Sequence, residues 1–159
     1  MERKTTGLHV VLVEPEIPGN TGNISRLCAA TGCKLHLVRP LGFSTDDKHL
    51  KRAGLDYWHL LEIYYHDSFA DLQAIYSDAR YFFHTTKATR FHSDVIFRDG
   101  DFLVFGKETA GLPLTILNQY PEQCIRLPMI DGARSLNLSN AVAVSVYEAL
   151  RQTKYGGLS

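Results

Sequence analysis

The run Cys124-Ile125-Arg126-Leu127-Pro128-Met129-Ile130-Asp131-Gly132-Ala133-Arg134-Ser135-Leu136-Asn137-Leu138-Ser139-Asn140-Ala141-Val142-Ala143-Val144-Ser145-Val146-Tyr147-Glu148-Ala149-Leu150-Arg151-Gln152 decides how the rest of the chain is read. It begins as a short apolar strand over 124–127, ended by Pro128, which has no N–H to donate to a neighbouring strand. Asp131-Gly132 marks a turn inside an irregular loop over 128–135. A long helix follows, with Asn137 or Ser139 as its cap, since either side chain accepts a hydrogen bond from an unpaired backbone N–H. Ala141, Val142, Val144, Val146, Ala149 and Leu150 spread around most of its circumference. A helix apolar on more than one side must be covered on more than one side. The expectation is a helix packed on its own sheet and, through Val142, Val146 and their neighbours, against a second copy of the chain. The polar loop before it, held at both flanks, suits a binding site.

Upstream, strands and helices alternate. Residues 8–13 are a continuous apolar, largely β-branched run, the mark of a strand buried on both faces of a parallel sheet. A loop with two prolines leads into a helix reaching Ala30, with Asn20 as its cap and Gly32 as its stop. Further strands are expected at 34–38, 58–65, 80–84 and 101–105, and helices at 46–53, 69–76 and from Pro113 to about Asn118. This alternation predicts an α/β fold, one domain of 159 residues, with a mostly parallel sheet and helices on both faces. In such sheets ligands bind beyond the carboxyl ends of the strands. The loops 14–23, 85–90, 106–112 and 128–135 are therefore expected to share one cleft.

Composition narrows the function less. The apolar and charged fractions, 45% and 21%, are those of a globular protein, and a formal charge of zero gives nucleic acid no general attraction. Any RNA-binding face must be local, and Lys48, Lys51 and Arg52 share one helical face by their spacing. Cys28, Cys33 and Cys124 lack metal or disulfide spacing and read as reduced thiols of a cytoplasmic protein. No apolar run is long enough to cross a membrane. Pro-Gly-Asn-Thr-Gly-Asn at 18–23 matches neither common phosphate-loop pattern. Gly106 and Gly111 serve either a ligand's close approach or a turn needing positive φ. Leu127 and Met129 suit an aromatic base or the core equally. His9, His36, His49, His59, His66 and His92 are read as structural or exposed.

Three segments together resemble one family. Residues 18–26 (Pro-Gly-Asn-Thr-Gly-Asn-Ile-Ser-Arg), 105–113 (Phe-Gly-Lys-Glu-Thr-Ala-Gly-Leu-Pro) and 125–141, with Ser135-Leu136-Asn137-Leu138-Ser139-Asn140-Ala141, look like the three motifs of the SPOUT superfamily of RNA methyltransferases. The match is best to its short, single-domain TrmL/YibK-type branch, which 2′-O-methylates cytidine or uridine 34 of tRNA. The resemblance implies a C-terminal deep trefoil knot and S-adenosylmethionine as cofactor, without a metal. It also implies a homodimer through the last helix, and the tRNA anticodon stem-loop, leucine isoacceptors foremost, as substrate. The cofactor contacts it implies fall on His84, Thr85, Gly106, Gly111, Leu127, Met129, Ser135 and Leu136. His84 departs from the pattern, where a small or apolar residue is commoner. Arg26 is the implied catalytic residue, as base or as a clamp on phosphate and alkoxide. Asn20, Arg134, Lys48, Lys51 and Arg52 are the implied RNA-side residues, joined by Lys87 and Arg90. One active site is expected to draw Arg26 from one chain and Ser135 from the other. The alternatives are 2′-O-methylation of ribosomal RNA and a non-catalytic knotted protein that binds RNA or cofactor.

Overall fold

The structure is a computed structural model, and it describes residues 6–46, 48, 52 and 60–159. Six strands form one sheet: β1 (His9–Val13), β2 (Lys34–Val38), β3 (Ile63–His66), β4 (Tyr81–His84), β5 (Phe102–Phe105) and β6 (Cys124–Ile125). Their order is β3-β2-β1-β5-β4-β6, and each of these pairings is parallel. The helices among the described residues are α1 (Pro18–Thr31), α2 (Phe69–Ile75), α3 (Leu114–Leu117) and α4 (Leu138–Gln152).

β1 and β5 are buried at every residue, which is why they read as unbroken apolar runs. On one face Val10, Leu12, Leu35, Leu37, Leu103 and Phe105 pack against Ile24 and Cys28 of α1 and Val142, Val146, Ala149 and Leu150 of α4. On the other, Val11, Val13, Val38, Phe83 and Val104 meet Phe69 and Leu72 of α2 and Ile116 and Leu117 of α3. Both faces are covered, as the alternation predicts.

The last helix corrects one expectation. Val142 and Val146 are fully buried within the chain and belong to its core. α4 packs on α1 as well as on the sheet, so α1 covers the second apolar side that a partner was expected to cover. Full burial stabilises by about 1.5–3 kcal/mol per valine. The apolar surface α4 leaves outside is Val144 and Tyr147, each 47% exposed and three residues apart.

Smaller differences have local causes. α1 begins at Pro18, so Asn20 lies in its first turn and does not cap it; Ile17 holds the cap position without a side-chain bond. Gly32 ends the helix with φ 74°, as expected. Asn137 caps α4, its Oδ1 accepting the Ser139 N–H at 3.0 Å. Pro113 precedes the single turn of α3 instead of starting it. β6 stops at Ile125, and Arg126 continues only as a bridge to Phe91. Of the strand expected over 58–65, the described part is β3, shifted toward His66; residues 58 and 59, including His59, lie outside the described residues, as does His49. Lys48 and Arg52 are helical and exposed, and Lys51 lies outside the described residues.

His9, His36 and His66 do more than fill space. Each sits two positions further along the neighbouring strand's register, which brings the rings into one line. His9 Nδ1 lies 2.9 Å from His36 Nε2, and His36 Nδ1 lies 2.9 Å from His66 Nε2. Burial pushes His9 down to about 4 and His36 down to about 3, and it lowers His66 as well. Neutral rings, each donating one N–H along the line, satisfy both contacts.

Candidate active site

A cavity of about 540 Å³ opens where β4, β5 and β6 end, within the size range of small-molecule sites. His84 and Thr85 reach it from β4, Phe105 and Gly106 from β5, and Leu127 from the segment after β6. Gly111, Met129, Ser135, Leu136, Asn20 and Arg134 line it too. One cavity thus gathers the eight positions expected for a cofactor and three of those expected for RNA, Asn20, Arg134 and Lys87. Arg26 does not line it. It is exposed on α1, six residues beyond Asn20 and about 9 Å further along the helix axis. Lys48 and Arg52 are not among the lining residues either.

The mouth is held by a reciprocal clamp between α1 and the 106–112 loop. Glu108 Oε1 accepts the Glu16 N–H at 2.8 Å, while its Oε2 accepts the Ile17 N–H at 2.7 Å and Asn20 Nδ2 at 3.2 Å. The two backbone N–H groups that Glu108 takes lie just before α1, so it pins the lead-in to the helix, and its charge suits the helix N-terminus. In return Glu16 Oε1 accepts the Thr109 N–H at 3.0 Å and hydroxyl at 2.7 Å. Those two bonds hold the Glu16 carboxyl below its ordinary range. Lys107 Nζ lies 3.7 Å from Glu14.

The loop's glycines answer the question that the sequence left open. A Cβ on Gly106 would fall 2.1 Å from the Gly111 carbonyl carbon, so the close approach it permits is to the chain's own backbone. Gly111 has φ 68° and its N–H closes the turn on the Lys107 carbonyl at 2.9 Å.

His84 is wedged where β4 ends. Its Nδ1 lies 3.1 Å from the Val104 carbonyl, its Nε2 lies 2.6 Å from Ser145 Oγ of α4, and its ring stacks on Phe105 at 4.0 Å. Burial pushes it down to about 3, so the ring is neutral near pH 7.

The remaining lining has a clear division of chemistry. Leu127, Met129, Leu136, Leu138 and Ala141 make an aliphatic wall, and Thr85, Thr86, Ser135 and Asn137 offer hydroxyl and amide groups. Of the cations in the lining, Arg126 donates to the Thr86 carbonyl and Lys107 pairs with Glu14, while Lys87 and Arg134 complete the set. Arg134 and Ser135 lie on an exposed loop, with Gly132 turning at φ 89°. Among the described residues, no group of three or more His, Cys, Asp or Glu side chains is placed to hold a metal ion. None of the described helices is long and apolar enough to cross a membrane.

Glu108 is the site residue that the sequence alone does not single out. Its signal is an acid inside a glycine loop that the strand order returns to the end of the sheet where α1 begins.

Known proteins share this sequence and fold. The tRNA (cytidine(34)-2′-O)-methyltransferase of Escherichia coli strain K12 is 54% identical over 151 residues, spanning 94% of this chain and 96% of its own. A solved structure giving structural insights into the 2-OH methylation of C/U34 on tRNA superposes with a TM-score of 0.88 at 47% identity, covering 92% of this chain and 96% of that one. The SpoU methyltransferase AviRb from Streptomyces viridochromogenes, solved in complex with AdoMet, has the same fold at a TM-score of 0.80 and 24% identity, covering 98% of this chain and 63% of that one. Residues 7–147 match the SpoU rRNA Methylase family across the sheet, the clamp and most of α4, and the chain belongs to that family.

Proposed function

We propose that this chain methylates the ribose 2′-hydroxyl of nucleotide 34, cytidine or a modified uridine, in the anticodon stem-loop of tRNA, with S-adenosylmethionine as methyl donor. The observation that carries this reading is the convergence of the motif residues on one strand-end cavity, in a chain about half identical to relatives named for that reaction.

The lining suits the cofactor. Leu127, Met129 and Leu136 offer an aliphatic wall to a flat base, Thr85 and Ser135 offer hydroxyls to polar groups, and the Gly106–Gly111 turn keeps its backbone at the edge. Bound there, S-adenosylmethionine supplies a methyl group already activated on a sulfonium. What is left to the protein is alignment of the ribose and care of its proton. A guanidinium holds its proton too firmly to serve as a base. We assign Arg26 to clamping the neighbouring phosphate and stabilising developing alkoxide charge. Asn20 and Arg134 flank the ribose, and Lys48, Lys51 and Arg52, with Lys87, extend the grip along the stem-loop.

The reading includes a knotted C-terminal segment, a single domain, a cytoplasmic location and a homodimer. Val144 and Tyr147 of α4 are the apolar surface we assign to the dimer contact. Arg26 stands outside its own chain's cavity, which favours a site completed by the Arg26 of a second copy. Leucine tRNAs are the first isoacceptors to examine. Calorimetric titration of S-adenosylmethionine without RNA tests the cofactor assignment: one site per chain is expected, and absence of uptake by the reduced protein would overturn it.

A further inference from the structure

We propose that Ser145 and His84 are a positioning pair: Ser145, on α4, locks the His84 ring in one tautomer and one orientation, and that ring sets the floor of the cavity. The proposal rests on the reading of the cavity as the cofactor site. The geometry fixes the hydrogens. Val104 offers a carbonyl oxygen, which only accepts, so His84 Nδ1 carries the hydrogen of the 3.1 Å contact. Nε2 of the neutral ring is then an acceptor, and the Ser145 hydroxyl donates to it across 2.6 Å. Ser145 is fully buried, and among the described residues its hydroxyl makes no other hydrogen bond. The ring face lies on Phe105, itself buried.

Two consequences follow. Both nitrogens are used inside the protein, so the imidazole presents a ligand with shape and not with a hydrogen-bonding or proton-transferring atom. One ring that lines the cavity also joins the ends of β4 and β5 to α4, elements far apart in sequence. The serine facing it from α4 gives the polar ring its second partner. An unmatched polar atom in a buried contact is costly, whereas two matched apolar groups of similar shape are close to neutral. The pair must therefore behave as a unit.

The test is a double-substitution cycle read by two methods on the full-length protein, with folding of each variant checked by circular dichroism. Ser145→Ala leaves Nε2 without its donor and frees the ring. S-adenosylmethionine affinity measured by calorimetry should fall about tenfold. The nitrogen-15 shifts of His84 should move away from those of a single neutral ring protonated at Nδ1. Ser145→Val alone should behave alike, while Ser145→Val combined with His84→Leu should regain most of the lost affinity. A merely structural pair would lower the melting temperature of the single variants without changing the affinity of the folded protein. The proposal is overturned if Ser145→Ala keeps both the parent affinity and the parent His84 shifts, or if the double variant binds no better than Ser145→Val. A parent protein that takes up no S-adenosylmethionine overturns the cofactor reading itself, and the nitrogen shifts then judge the Ser145–His84 link alone.

Discussion

Glu108→Gln is the sharpest perturbation of the clamp that seats α1 against the cavity. Glutamine keeps the length and one oxygen, but its amide nitrogen cannot accept. Of the three hydrogen bonds that Glu108 takes, at 2.8, 2.7 and 3.2 Å, at least one backbone contact is lost and an N–H is turned toward another N–H. A hydrogen bond to a charged group contributes about 1.5–3 kcal/mol, and a charge at a helix N-terminus contributes about 0.3–1 kcal/mol more. With part of the loss relieved by water at this partly exposed site, the net cost should be about 2–3 kcal/mol. For a chain of this length that lowers the melting temperature by about 6–9 °C. Thermal unfolding followed by circular dichroism measures the total. Hydrogen exchange at Glu16 and Ile17 localises it, and both amides should exchange markedly faster. A melting point within about 2 °C of the parent, with unchanged exchange at these two amides, would refute the clamp as a determinant of how α1 is held.

Arg26→Ala should leave cofactor affinity near the parent value while abolishing methylation, because Arg26 does not line the cavity; parallel loss of both in calorimetry and turnover would mark it as structural. Val146→Arg should unfold the protein, since it buries a charge in the core, whereas Val144→Arg should keep the fold and shift the molecular mass in light scattering from dimer toward monomer. Stability should fall on acidification. His9, His36 and His84 are held in the fold below the ordinary 6.5, so the unfolded chain binds more protons between that value and about 4. The stabilisation is therefore fully present above about pH 6.5 and is lost as pH drops toward 4, on the order of 2 kcal/mol per fully buried ring by pH 5. Melting curves across this range should show it, and a flat profile would contradict the neutral ladder.

The parts of the fold legible in the sequence are those decided within a few residues. β1 and β2 announce themselves as apolar runs, Gly32 as a left-handed stop, and Asn137 as a cap. What escaped depends on residues brought together only by the sheet. Val142 and Val146 could not be told from Val144 until α1 was seen lying on α4, because the helical pattern says how many sides are covered and not by what. Glu108 meets Glu16 across 92 residues, and His84 meets Ser145 across 61. The line of His9, His36 and His66 needs the strand order and register, neither of which any one strand's sequence contains. The site was partly legible for the opposite reason: its glycines, hydroxyls and arginines sit in compact motifs at strand ends, where a parallel sheet gathers them.

The central claim is most directly tested by the product. The purified protein should be incubated with S-adenosylmethionine carrying a heavy-isotope methyl group and with tRNA and ribosomal RNA in separate reactions, followed by nuclease digestion and mass spectrometry. The account predicts one labelled 2′-O-methyl group per modified tRNA, on nucleotide 34, and none in ribosomal RNA. Label at another tRNA position, label confined to ribosomal RNA, or no transfer by a protein that binds the cofactor would contradict it.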